Sequence, residues 1–159
     1  MHNELTPLIP RFRFNGRLLL AETQGFTPSD WAWRPDAGGN PAHWLLGHVA
    51  HYRRVIRRKL GASLAEAAWE PRYARGSSAS DALTGAPGEL LDDFMASGTA
   101  IERAIEDAGP EALARPFGSR VPDGAETLSG GVSFLYFHET YHLGQLGYLR
   151  RLLGKPGIA

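Results

Sequence analysis

Nineteen glycines and eleven prolines cut this chain into segments, and the long segments between them space their apolar side chains with the period of a helix rather than a strand. The first runs from about Leu5 or Pro10 to Thr23 and stops at Gly25, with Leu8, Phe12 and Leu19 on one side. In the second, Asn40 stands where an N-cap belongs and Pro41 at the first helical position, and AHWLLGHVAHYRRVIRRKL continues to Gly61. The third starts near Pro87 and carries Leu90, Phe94, Ile101 and Ile105 as far as Gly109. The fourth extends from near Thr127 to Gly154, with Pro156 just beyond. Ala62 to Ala86 and Pro110 to Glu126 are too long to be tight hairpins, although SLAEAAW (63–69) is expected to add a turn of helix. RGSSAS (75–80) and VPDGAE (121–126) read as exposed loops. The expected fold is all-α, a four-helix bundle with long crossover connections.

With 159 residues, 43% of them hydrophobic, the chain has material for one core, so a single domain over residues 1–159 is expected. Lys plus Arg equals Asp plus Glu at 17 each, which offers no general attraction for nucleic acid or an anionic membrane. The N-terminal stretch is interrupted by prolines and charges before its short Leu18–Leu20 run, unlike a signal peptide, and no run approaches the roughly 20 apolar residues of a membrane span. The absence of cysteine removes disulfides, thiolate metal ligands and a cysteine nucleophile together. A cytoplasmic location fits this composition.

The chemistry lies in FHETYHLGQLGYLRRLLG (137–154). At about 100° per residue, Phe134, Leu135, His142, Gln145, Leu149, Leu152 and Leu153 share a face with His138, so the histidine pair is expected in the middle of the apolar stripe. On the second helix Trp44, Leu45, Tyr52, Val55 and Ile56 form the stripe, with His48 near its centre, His51 on its flank and His43 on the far side. His43 and His51 are therefore expected to be structural or surface residues. Three imidazoles from two helices are aimed at one interior, where each unpaired polar group costs about 1–3 kcal/mol. A shared metal ion offsets that cost, because histidines at i and i+4 reach one ion and a third from a facing helix leaves a position open.

HETYH also matches the zinc-protease pattern H-E-x-x-H, but the metzincin extension would need Gly at 145 and His at 148, where Gln145 and Tyr148 stand. No acidic residue follows Glu139, so a later carboxylate ligand is excluded as well. Glu139-x-x-His142 spells half of a di-iron carboxylate site, yet the second helix has no acidic residue. Glu139 falls at the edge of the stripe and reads as an exposed or capping carboxylate before a catalytic one.

NPAHWLLGHVAHYRRVI (40–56) and HETYHLGQLGYLRRLLG (138–154), with the length and helix order around them, resemble the DinB-like superfamily of bacterial four-helix proteins. The resemblance implies an up-down-down-up bundle, a divalent metal, nickel or zinc, on His48, His138 and His142, and a homodimer. Relatives of this kind include thiol-dependent transferases and isomerases and proposed metal-dependent hydrolases. A small-molecule substrate is implied, along with a low-molecular-weight thiol if the reaction is thiol transfer. The alternatives are a metal-binding stress protein without turnover and a helical dimerisation module. Gln145 is placed to orient a ligand or bridge helices, and Tyr52 to bring its hydroxyl near the metal or pack as a core aromatic. The basic run RRVIRRK (53–59) reads as a solvated helix face.

Overall fold

The computed structural model describes residues 3–35, 38–77 and 83–158. Its helices are α1 (Ile9–Thr23), α2 (Pro28–Ala32), α3 (Ala42–Lys59), α4 (Pro87–Asp107), α5 (Pro110–Ala114) and α6 (Leu128–Leu152), with 3-10 turns at Thr6–Leu8 and Glu70–Arg72. The four long helices agree with the glycine and proline punctuation. Thr127 caps α6 by accepting from the N–H of Gly130, as threonine at that position should. At α3 the expected cap does not form. Pro41 takes the cap position in an extended conformation, Asn40 lies outside the helix, and no side chain caps its start. SLAEAAW is not helical over Ser63–Ala67, and the turn of helix comes just after it, at Glu70–Arg72.

Two apolar clusters fix the topology. One joins the start of α1 (Ile9, Phe12), the end of α3 (Ile56), the end of α4 (Ile101, Ile105) and the start of α6 (Leu128, Val132, Leu135). The other joins the end of α1 (Leu19), the start of α3 (Leu45, Val49), the start of α4 (Leu90, Phe94) and the end of α6 (Leu143, Leu146, Leu149). Helices α1 and α6 therefore point one way and α3 and α4 the other, which is the up-down-down-up order. Each fully buried Leu, Ile or Phe contributes about 1.5–3 kcal/mol relative to exposure.

Both long connections are pinned by an aromatic ring seated on a helical glycine. Tyr73 lies over Gly47 so closely that a Cβ there would come within 2.3 Å of the ring. Phe117 lies over Gly131 in the same way, again at 2.3 Å. The second connection is also tied by backbone bonds between Phe117 and Glu126 and between Leu128 and Arg115. VPDGAE is exposed as expected except at Val121, which is buried in the first apolar cluster, and at Ala125, which is half-buried against it. Of RGSSAS, Arg75 and Gly76 are exposed, Ser77 is half-buried, and Ser78–Ser80 lie outside the described residues.

Between the two clusters lies an ionic layer that overturns two expectations. Arg53 is only 1% exposed, and its guanidinium grips Glu139 through Nε to Oε2 and Nη2 to Oε1, both at 2.8 Å. It also donates to the carbonyls of Phe94 and Phe12 and lies 3.5 Å over the Phe94 ring. Asn15 donates to Glu139 at 3.0 Å. Each of the four long helices supplies a partner. The run RRVIRRK is thus not a solvated face throughout, since Arg54 is buried as well, on Glu70 and Asp93. Glu139 is neither exposed nor a cap, being 2% exposed. Burial of a charge is tolerated here because bidentate pairing and further hydrogen bonds replace its water. Among the described residues, no helix is long and apolar enough to cross a membrane.

Candidate metal centre

His48 projects from α3, and His138 and His142 project from successive turns of α6. Their ligand nitrogens all lie within 4.8 Å of one another. His138 Nε2 is 3.2 Å from His48 Nε2 and 3.1 Å from His142 Nε2. Nitrogens held at 2.0–2.1 Å around a tetrahedral ion stand about 3.3–3.4 Å apart, so the observed spacing fits such a site closely. His48 Nδ1 donates to the Tyr73 carbonyl at 2.5 Å, and His142 Nδ1 donates to Gln145 Oε1 at 2.7 Å. Both rings are thereby held in the tautomer that turns an Nε2 lone pair inward, the usual arrangement for ligating histidines.

The protein's own hydrogen bonds do not satisfy this cluster. His138 has one N–H for two facing lone pairs, and its buried Nδ1 has no partner among the described residues. Protonation is also disfavoured. Burial, reinforced by the neighbouring imidazoles, lowers the pKa of His48 to about 3 and that of His138 to about 4, against a burial cost only partly offset at His48 by Tyr73. Burial also lowers that of His142, opposed by its bond to Gln145. Three neutral donors facing one point are the donor set of a divalent ion with an open position.

The residues around the site sort differently from their sequence phase. On α6 the buried face centres on Glu139, flanked by Leu135, Leu143 and Leu146, while His138 and His142 are half-buried at its edge. Leu152, expected on the histidine face, is 45% exposed. Glu139 carries no catalytic carboxylate to the site, because both its oxygens are engaged by Arg53 and Asn15. Gln145 orients His142. Tyr52 stands edge-on to His48 and His138, with ring centroids 4.9 Å and 4.6 Å away, and its hydroxyl is turned to Arg75. His43 bonds to the Gly85 carbonyl at 2.8 Å and to the Tyr73 hydroxyl at 3.1 Å, so it helps hold the loop that orients His48.

His51 is bound at Nδ1 by Glu70 Oε2 at 3.0 Å, away from the three histidines. Burial would raise the Glu70 carboxyl, but bonds from Arg58, the Ala67 N–H, Arg54 and His51 hold it at about 2, fully ionised. His51 is lowered by its own burial, with Glu70 opposing. Glu70, Tyr73 and the Arg53 anchor were not legible as site residues, since the first two sit in a connection and the third in a charged run. Because His51 is committed to Glu70, His51→Ala should leave metal content unchanged. Elemental analysis of the purified variant checks this, and loss of metal there would mean that the wrong α3 histidine has been identified.

A cavity of about 420 Å³ opens beside this cluster, lined in part by His48, His51, Tyr52 and His138. The sequence profile of the DinB superfamily matches residues 11–146, a span that contains all three histidines. The chain belongs to the DinB superfamily. A comparison with curated proteins finds no match. The helical bundle and a three-histidine group that could hold a metal ion are consistent with that membership. It does not specify a reaction, because function lies in the site rather than the fold.

Proposed function

We propose that this DinB-superfamily protein is a cytoplasmic, divalent-metal-dependent enzyme, with nickel or zinc on His48, His138 and His142, that activates a small nucleophile, a thiol or water, against a small-molecule substrate. One observation carries the reading: three neutral histidine nitrogens face one point and, among the described residues, are not satisfied by the protein's own hydrogen bonds, beside a cavity large enough for a substrate. When bound, a divalent ion draws the pKa of a coordinated water toward 7 or holds a thiol as thiolate. The chain's residues supply the rest. Tyr73 and Gln145 keep two of the imidazoles turned inward, and Tyr52, Val55 and Phe134 help to exclude water from the approach. His51, hydrogen-bonded to ionised Glu70, forms part of the cavity wall. With no cysteine in the chain, a thiol arrives as a separate low-molecular-weight molecule.

Cobalt substitution tests the reading. If thiol transfer is the role, a low-molecular-weight thiol should displace water, release a proton and add a sulfur-to-cobalt charge-transfer band, which His138→Ala should lack. If hydrolysis is the role, turnover of simple esters should rise with pH through a value near 7 without any thiol. A metal-loaded protein that does neither across a broad panel supports a non-catalytic metal-binding protein instead. For the homodimer, support comes from an apolar stripe along α6, where Phe137, Tyr141, Tyr148 and Leu152 are 61%, 57%, 63% and 45% exposed.

A further inference from the structure

We infer that the cavity beside the three histidines recognises a small organic carboxylate, with Arg75 and Arg120 as the groups that bind its anionic head. The inference deepens the enzyme reading by naming the chemical class of its substrate. Among the described residues, thirteen line the cavity and none is acidic, although Asp and Glu number 17 in the chain. Two of the lining residues are arginines, one from each long connection, and apolar side chains, among them Val55, Phe117, Val121 and Phe134, form much of the wall.

These arginines differ from the others near the core. Arg53 is held by Glu139, Arg54 by Glu70 and Asp93, and Arg58 by Glu70. Among the described residues, neither Arg75 nor Arg120 has a carboxylate within ion-pairing distance. Both belong to anchored loops. Arg75 follows Tyr73, whose ring sits on Gly47 and whose carbonyl holds His48. Arg120 follows Phe117 and Ser119, which Lys59 ties to the end of α3 with bonds of 2.6 Å and 3.0 Å.

Tyr52 sets the relation between the arginines and the metal site. Its ring packs against His48 and His138, while its hydroxyl is turned to Arg75. A ligand head at Arg75 is thus displaced from the histidines along the length of a phenol, which leaves the reactive part of the molecule to face the metal. The planar guanidinium suits a carboxylate, and an apolar body fits the wall between the two ends. Inorganic anions have no group for that wall, and neutral molecules offer the guanidinium groups no charge-assisted hydrogen bond.

Isothermal titration of the purified protein with 4-phenylbutyrate, 4-phenylbutyramide and inorganic phosphate tests the inference. The acid should bind roughly tenfold or more tightly than the amide, as expected when charge-assisted hydrogen bonds are lost, and phosphate should not displace it. Arg75→Ala/Arg120→Ala should weaken the acid by a similar factor without changing the amide, and Arg75→Lys/Arg120→Lys should fall between. Both arginines are exposed loop residues, so the fold is not at stake. Equal binding of acid and amide, or full binding of the acid by the double alanine variant, overturns the inference. The same titration of the His138→Ala protein, with helicity checked by circular dichroism, separates the two readings. Arginine-dependent binding that persists there supports the carboxylate site whatever becomes of the metal. Loss of the acid in that still-helical protein places the carboxylate on the metal and overturns the assignment to the arginines.

Discussion

Glu139→Gln is expected to destabilise the protein by about 3–5 kcal/mol, because it strips the charge from one member of a buried ion pair and leaves the other unpaired. Arg53 cannot turn to solvent to escape. It is 1% exposed and held by the Phe12 and Phe94 carbonyls, and Gly98 leaves it room only by lacking a Cβ, which would come within 2.5 Å of Nη1. A loss of that size lowers the melting temperature of a chain this long by roughly 6–20 °C. Arg53→Met should cost as much, by burying Glu139 alone. The double variant Arg53→Met/Glu139→Leu should recover most of the loss, since an apolar pair of similar volume avoids the desolvation penalty. Thermal denaturation of Arg53→Met, Glu139→Leu and the double variant completes the cycle. Additive losses would mean that Arg53 and Glu139 act independently and that the ionic layer does not join the helices.

The same pair explains why HETYH looks like a protease motif without serving as one. The glutamate next to His138 is spent on fixing the rotation of α6, and that rotation is what turns His138 and His142 toward His48. It also explains where the sequence pattern misled. Hydrophobic periodicity assigns the core face by polarity, and α6 breaks that assumption twice, burying a glutamate and exposing Phe137, Tyr141, Tyr148 and Leu152. Its phase was therefore displaced from the true buried face by about one residue, roughly 100°. Helix boundaries suffered less, because glycine and proline act through the backbone irrespective of burial. The three histidines were legible because two share one face and the third sits one helix away. Glu70, Tyr73, Arg75 and Arg120 were not, since nothing in the pattern of a connection says which bundle face it folds across.

His48→Ala, His138→Ala and His142→Ala should each abolish stoichiometric metal binding, reducing an expected content of about one divalent ion per chain to near zero, because two imidazoles and water make a poor site where three could hold one ion. Elemental analysis of untagged protein reads this directly, and full retention in any one variant would remove that residue from the site. The metal-free proteins carry a second signature, in their pH dependence. Burial lowers the folded pKa of His48 to about 3 and that of His138 to about 4, below the ordinary value near 6.5 that an unfolded chain retains. Below 6.5 the unfolded state therefore binds more protons than the folded one. The stability that comes from keeping these rings neutral is fully present above that pH and is lost as pH falls toward 3–4. Replacing His48 removes one such group, so the decline between about pH 6.5 and 4 should become shallower by up to about 1.4 kcal/mol per pH unit in metal-free His48→Ala. Urea titrations at several pH values measure the slope. An unchanged slope would mean that His48 is not held neutral by burial, and the three inward lone pairs on which the metal site depends would have to be given up.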